Sequence, residues 1–234
     1  MSLVSKLRQL RFIDSRLRVW GGGDGGPSSD TVLIFLHGSG ITAFGMERLL
    51  AKLTPPPAFP VILPSAPTQL YLLDGTRQPV WHQRSEVNIH SEHEDLEGLD
   101  KMTLGLQALL EEVRALRVPK VVVGGFSMGG HTALHAVYRR GLEVEGCVAL
   151  SCFLVGQSEV YRTLEDHEPG TPRPPLLQGH GLGDVVVPAV WARETHGGLE
   201  DGGVEGRLVL YEGLGHQPSE QMMRDTYRWI EDLD

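Results

Sequence analysis

The chain has 234 residues, 41% of them hydrophobic, enough for one full core, and a single domain over 1–234 is expected. Its net charge of -9, with 21 Lys and Arg scattered along it, excludes a phosphate-binding surface and so nucleic acid as a partner. The first twenty residues carry a charge every few positions. They lack the apolar centre of a signal peptide or a membrane span, so the expected compartment is the cytoplasm, without stable membrane insertion.

A strand is expected near 9–19. The run GGGDGGPSS (21–29) after it reads as a loop tip, since no Lys-Ser or Lys-Thr follows and no helix opens there as a phosphate cradle requires. Short apolar runs then mark strands at 31–38, 59–64, 119–125, 145–153, 174–181 and 206–213. Amphipathic stretches between them mark helices near 44–53, 92–116, 128–140, 188–197 and 218–232. The helix over 92–116 shows an apolar stripe from Leu96 to Val113, and Ser91 with Glu94 fits a capping box at its start. This alternation predicts an α/β fold, a mostly parallel central sheet with helices on both faces.

The third of these strands runs into Gly125-Phe126-Ser127-Met128-Gly129, a G-x-S-x-G turn that presents a serine hydroxyl at a helix N-terminus. A serine becomes a nucleophile only when a base takes its proton, and the base needs a carboxylate to hold its tautomer. In chain order serine, acid, histidine, the loops after two later strands supply Asp184 and His216. Asp166, Glu194, Asp201, Glu212, His167, His180 and His196 compete, but none combines chain order, strand end and Gly-rich loop as well. His180 is read as support for the Asp184 loop and His37 as a lock on the loop FLHGSG. An oxyanion needs two amide donors: Met128 follows from the turn, and Ser39 from FLHGSG.

Metal chemistry is not expected. His131 and His135 have i, i+4 spacing, but Thr132 stands where a zinc protease needs glutamate. His90, His93 and Glu94 read as a solvated first turn. Cys147 and Cys152 fit reduced buried thiols, and no cofactor is implied.

Taken together, FLHGSG, PSAP (64–67), Trp81, GGFSMGG, ALSCFL (149–154), HGLGD and YEGLGH resemble the acyl-protein thioesterase and lysophospholipase family, closest to its lysophospholipase-like protein 1 branch. The resemblance implies an α/β-hydrolase without a large lid, cleaving small esters or thioesters, or S-acylated proteins, through an acyl-enzyme. It carries the triad onto Ser127, Asp184 and His216 and the oxyanion donors onto Ser39 and Met128. Trp81, Phe153, Leu154 and Leu182 are the expected walls of the acyl pocket. Two departures stand out: Ile41 replaces an aspartate usual in the family, and Trp81-His82-Gln83 replaces Trp-Phe-Asp. Both are expected to flank the cleft. A depalmitoylating thioesterase, a short-chain carboxylesterase and a catalytically silent binding protein all remain compatible with these residues, as does, more remotely, a small-lactone or peroxide activity on the same fold.

Overall fold

The computed structural model describes residues 1–13, 15–22, 30–166, 168 and 172–233. His167 and most of the glycine-rich run, 23–29, lie outside them.

Seven strands form the main sheet: β3 (Arg18–Gly21), β4 (Thr31–Leu36), β5 (Pro60–Leu63), β8 (Lys120–Phe126), β9 (Gly146–Leu150), β10 (Leu176–Gly181) and β11 (Gly206–Tyr211). They lie in the order β11-β10-β9-β8-β4-β5-β3, and every pairing is parallel except the edge pair of β3 with β5. Strand residues alternate between two apolar layers, as the period-two geometry of a strand requires. Val32, Ile34, Leu36, Val121, Val123, Cys147 and Ala149 face one layer; Leu33, Phe35, Val61, Val122, Val148 and Leu150 face the other. The first layer is closed by α3 (Leu96–Ala115), α4 (Met128–Leu134) and α5 (Glu159–Glu165), the second by α2 (Ala43–Leu53) and α7 (Glu220–Glu231). With α6 (Ala189–Asp201) beside β10 and β11, this is the α/β-hydrolase arrangement of a mostly parallel sheet between helices.

Four local expectations are corrected. The strand near 9–19 is instead a short hairpin, β1 (Arg11–Phe12) with β2 (Ser15–Arg16), followed by β3. Phe12 is drawn away from the sheet onto Trp81, at 5.7 Å between ring centroids, and Ile13 turns the chain at φ 54°. The helix expected from 92 begins at Leu96, capped not by Ser91 but by Asp95, whose carboxylate accepts the Gly98 amide at 3.0 Å. Glu94 is not a solvated first-turn acid either: it accepts from His135 at 3.0 Å and from the Glu159 amide at 3.0 Å. Finally, α4 widens into a π turn over His135–Arg139, within the single helix expected for 128–140.

Elements without a counterpart in the sequence reading are α1 (Leu3–Leu7), α5 and the hairpin of β6 (Thr68–Leu70) with β7 (Arg77–Pro79). The hairpin carried a usable signal, Asp74-Gly75: Gly75 sits at φ 70° and the Asp74 carboxylate accepts the Thr76 amide at 3.0 Å.

Candidate active site

Ser127 stands between β8 and α4 at φ 55° and ψ -122°, a conformation a non-glycine residue holds only when its surroundings enforce it. The Ser127 amide donates to the Leu150 carbonyl at 2.8 Å, pinning the turn to β9. Glycine is required beside it: a Cβ on Gly125 would lie 2.4 Å from the Gly129 carbonyl carbon, and one on Gly129 2.3 Å from the Leu36 oxygen. These contacts let α4 start hard against the sheet.

The three predicted residues meet. Ser127 Oγ donates to His216 Nε2 at 2.9 Å, and His216 Nδ1 donates to Asp184 Oδ2 at 2.7 Å. Asp184 is buried, and its other oxygen accepts the amides of Val186 and Val187 at 2.9 and 2.8 Å. His180 lies at 3.4 Å from Asp184 Oδ2 and donates to the Val187 carbonyl at 2.8 Å, so it supports the acid's loop as expected. Burial pushes the His180 pKa down, which keeps that supporting ring neutral.

The loop after β4 is locked in the same way. His37 Nδ1 donates to the Gly38 carbonyl at 2.8 Å while Nε2 accepts the Ala66 amide at 3.0 Å, and burial lowers its pKa to about 4. Ser39 and Met128 both line the cleft at Ser127, and neither amide donates to a backbone carbonyl among the described residues.

That cleft has a volume of about 280 Å³. Of the four expected wall residues only Phe153 lines it. Trp81 is fully buried beside His37, donating its indole N–H to the His37 carbonyl at 2.7 Å, and thus holds the loop after β4 from behind. Leu154 is buried in the core that α4 covers, its amide donating to Thr195 Oγ1. Leu182 is exposed and lies outside the lining. Ile41 does line the cleft, whereas Gln83 does not: its side chain accepts the Leu72 amide and donates to the Leu70 carbonyl, tying down the β6–β7 hairpin. Sequence reasoning missed Tyr71, Leu73, Arg84, Val87 and Ser151, which reach the cleft from the hairpin, the segment after Trp81 and the end of β9.

Behind the cleft, Glu94, His131 and His135 bring ligand-type atoms within 4.8 Å of one another. His131 and His135 are neutralised by burial, His135 is already bonded at both nitrogens, to Glu94 and Arg139, and Arg84 lies against His131 at 2.8 Å. Two adjacent guanidiniums make this donor set poor for a cation. His90 and His93 are exposed and stand apart from it.

A family model described as Phospholipase/Carboxylesterase matches residues 25–233. The chain is 33% identical over 205 residues to lysophospholipase-like protein 1 of Mus musculus, covering 85% of this chain and 84% of that one. It is 27% identical over 218 residues to acyl-protein thioesterase 1 of Candida albicans, covering 89% and 94%. The crystal structure of Zea mays acyl-protein thioesterase 2 superimposes with a TM-score of 0.74 at 25% identity, over 92% of this chain and 97% of that one. The chain belongs to the phospholipase/carboxylesterase family, serine hydrolases built on the α/β-hydrolase fold.

Proposed function

We propose that Ser127, His216 and Asp184 are the catalytic triad and that the chain hydrolyses short-acyl esters and thioesters through an acyl-enzyme. The observation that carries this reading is the continuous relay from Ser127 Oγ to His216 at 2.9 Å and from His216 to Asp184 at 2.7 Å. His216 Nε2 takes the hydroxyl proton as Oγ bonds to the acyl carbonyl carbon. The Ser39 and Met128 amides receive the oxyanion, their N–H groups being without a backbone acceptor among the described residues. Collapse expels the alcohol or thiol, which leaves with the proton from His216. Water then gives its proton to His216 and attacks the acyl carbonyl, releasing the acid and restoring Ser127. Asp184 keeps the Nδ1–H tautomer throughout.

Thioesters enter this reading from the names of the acyl-protein thioesterase relatives. The short acyl group enters from the cleft, whose volume of about 280 Å³ lies just under the range of pockets that enclose drug-sized ligands, about 300–1,000 Å³. No helix among the described residues is long and apolar enough to cross a membrane, and both cysteines are buried free thiols, which suits a reducing cytoplasm. A fluorophosphonate probe is expected to label the wild-type protein and to leave folded Ser127→Ala unlabelled; a folded wild type that resists the probe sinks the enzyme reading.

A further inference from the structure

Arg84 is a charged side chain in the wall of the cleft that holds Ser127. It is half-buried and stacks on the Phe153 ring at 4.7 Å; the Glu94 carboxylate acts on it electrostatically, but among the described residues none lies within ion-pair distance of it. Its one hydrogen-bond neighbour is His131 Nδ1, at 2.8 Å from Nη2. That contact is contested. The same nitrogen lies 2.9 Å from the Phe153 carbonyl, and a neutral imidazole nitrogen either donates or accepts. If Nδ1 accepts from Arg84, the Phe153 oxygen loses its donor; if Nδ1 donates to Phe153, the guanidinium has no acceptor.

A second cleft residue is in the same condition. Ser151, just past the end of β9, is fully buried, held at φ 48°, and its enclosed Oγ has no hydrogen-bond partner among the described residues. Buried donors without acceptors cost free energy, and strained residues that persist tend to sit where a ligand is handled. The Ser151 hydroxyl is closed off from the cleft, so the group left to meet a ligand there is the Arg84 guanidinium, which lacks an oxygen acceptor with negative charge. The remaining walls, Ile41, Leu73, Val87 and Phe153, suit a few methylenes.

We propose that Arg84, beside the strained Ser151, is an anion subsite that selects esters or thioesters bearing a carboxylate a few carbons from the scissile carbonyl. The inference rests on the serine hydrolase reading and names its substrate class. When the carboxylate binds, Arg84 donates to it and His131 Nδ1–H is released to the Phe153 carbonyl, so all three groups are satisfied at once. A long, purely apolar acyl chain offers none of this.

The test compares kcat/KM for matched pairs. p-Nitrophenyl hydrogen glutarate against p-nitrophenyl butyrate places the charge on the acyl side, and S-butyryl mercaptoacetate against its methyl ester places it on the leaving group. Wild type is expected to prefer the charged member of one pair by about tenfold or more, the scale of one charge-assisted hydrogen bond. Arg84→Met is expected to bring that ratio to about one or below, with Arg84→Lys between the two. No preference in either pair, or a preference that Arg84→Met retains, overturns the proposal. Where Arg84→Met fails to fold, calorimetric titration of wild type decides: glutarate binding about tenfold tighter than monomethyl glutarate supports the subsite, and equal binding overturns it. Fluorophosphonate labelling of the same samples separates the two levels, since labelled protein without a charge preference loses the subsite and keeps the hydrolase.

Discussion

Gly181 and Leu214 meet backbone to backbone: a Cβ on Gly181 would lie 2.2 Å from the Leu214 carbonyl oxygen, and that same oxygen accepts the Gly183 amide at 2.9 Å. The contact joins the loop that carries Asp184 to the loop that carries His216, and so sets the spacing of an acid and a base 32 positions apart. Gly181→Ala must push the two loops apart, because the atoms in its way, the Leu214 carbonyl and the Gly215 oxygen, are all backbone. Displacements near 1 Å at a reacting centre cost about 100-fold, so kcat/KM on p-nitrophenyl acetate should fall by about that factor or more. An unchanged kcat/KM in a variant of wild-type Tm would show that the loop contact does not position the relay.

The relay residues were legible because each carries its own local signal, a strand end followed by a glycine-rich turn, and α/β order supplies the rest. The cleft walls were not, because they depend on packing between distant segments. Trp81 looks like a pocket aromatic along the chain, yet its indole finds the His37 carbonyl 44 positions away and the ring goes inside. Arg84 carries no motif, and only the folded structure shows that its charge has no carboxylate within ion-pair distance among the described residues while it lines the cleft at Ser127. The Ser91 to Glu94 capping pattern was locally correct and globally overridden: Glu94 is worth more bonded to His135 and the Glu159 amide than at a helix start.

Asp184→Asn tests the tautomer. The side-chain oxygen facing the Val186 and Val187 amides can stay, but the amide nitrogen would then face His216 Nδ1 and donate to it. The imidazole proton would move to Nε2, which could no longer accept from Ser127. The equivalent change in the serine protease triad costs about 10⁴ in kcat, and a loss of that order with KM little changed is expected here. A loss under about tenfold would remove Asp184 from the relay.

Acid should destabilise the fold before the carboxylates titrate. His37 is neutral in the fold because burial removes its charged form from water and because Nε2 accepts the Ala66 amide; its pKa falls from 6.5 to about 4. The unfolded chain binds this proton below 6.5 and the folded protein only near 4, so stability present at neutral pH is lost as pH falls through that window. For His37 alone the loss is about 3 kcal/mol. Burial lowers His82, His131 and His135 as well, adding in the same direction. The urea midpoint should therefore drop between pH 7 and pH 5. His82→Phe, which removes a buried Nε2 without a partner and restores the residue usual in the family, should make that drop shallower. A midpoint flat over this range would contradict the assignment of neutral buried rings.

Cys152 lines the cleft, but burial raises its thiol pKa to about 12, so almost no thiolate exists at neutral pH. Iodoacetamide at pH 8 should leave native Cys152 unmodified and alkylate it only after denaturation. Rapid alkylation of the native protein, with loss of esterase activity, would reopen the cleft to cysteine chemistry.

Acyl-chain length is the remaining test of the cleft, and it is independent of charge. A palmitoyl group has sixteen carbons, and a cleft of about 280 Å³ lies just under the range of pockets that enclose drug-sized ligands, about 300–1,000 Å³. Each methylene that fits gains about 0.8 kcal/mol by leaving water, while each one beyond the walls stays in contact with it. Along a series of p-nitrophenyl esters from acetyl to palmitoyl, with matching thioesters, kcat/KM should rise for the first few carbons and stop rising by about eight. The exposed Leu72, Val185 and Val190 are too far out in solvent to extend that gain by enclosure. A maximum at fourteen or sixteen carbons would require the walls to open, and the mobile parts would then be the β6–β7 hairpin that Gln83 ties down and the loop after Asp184.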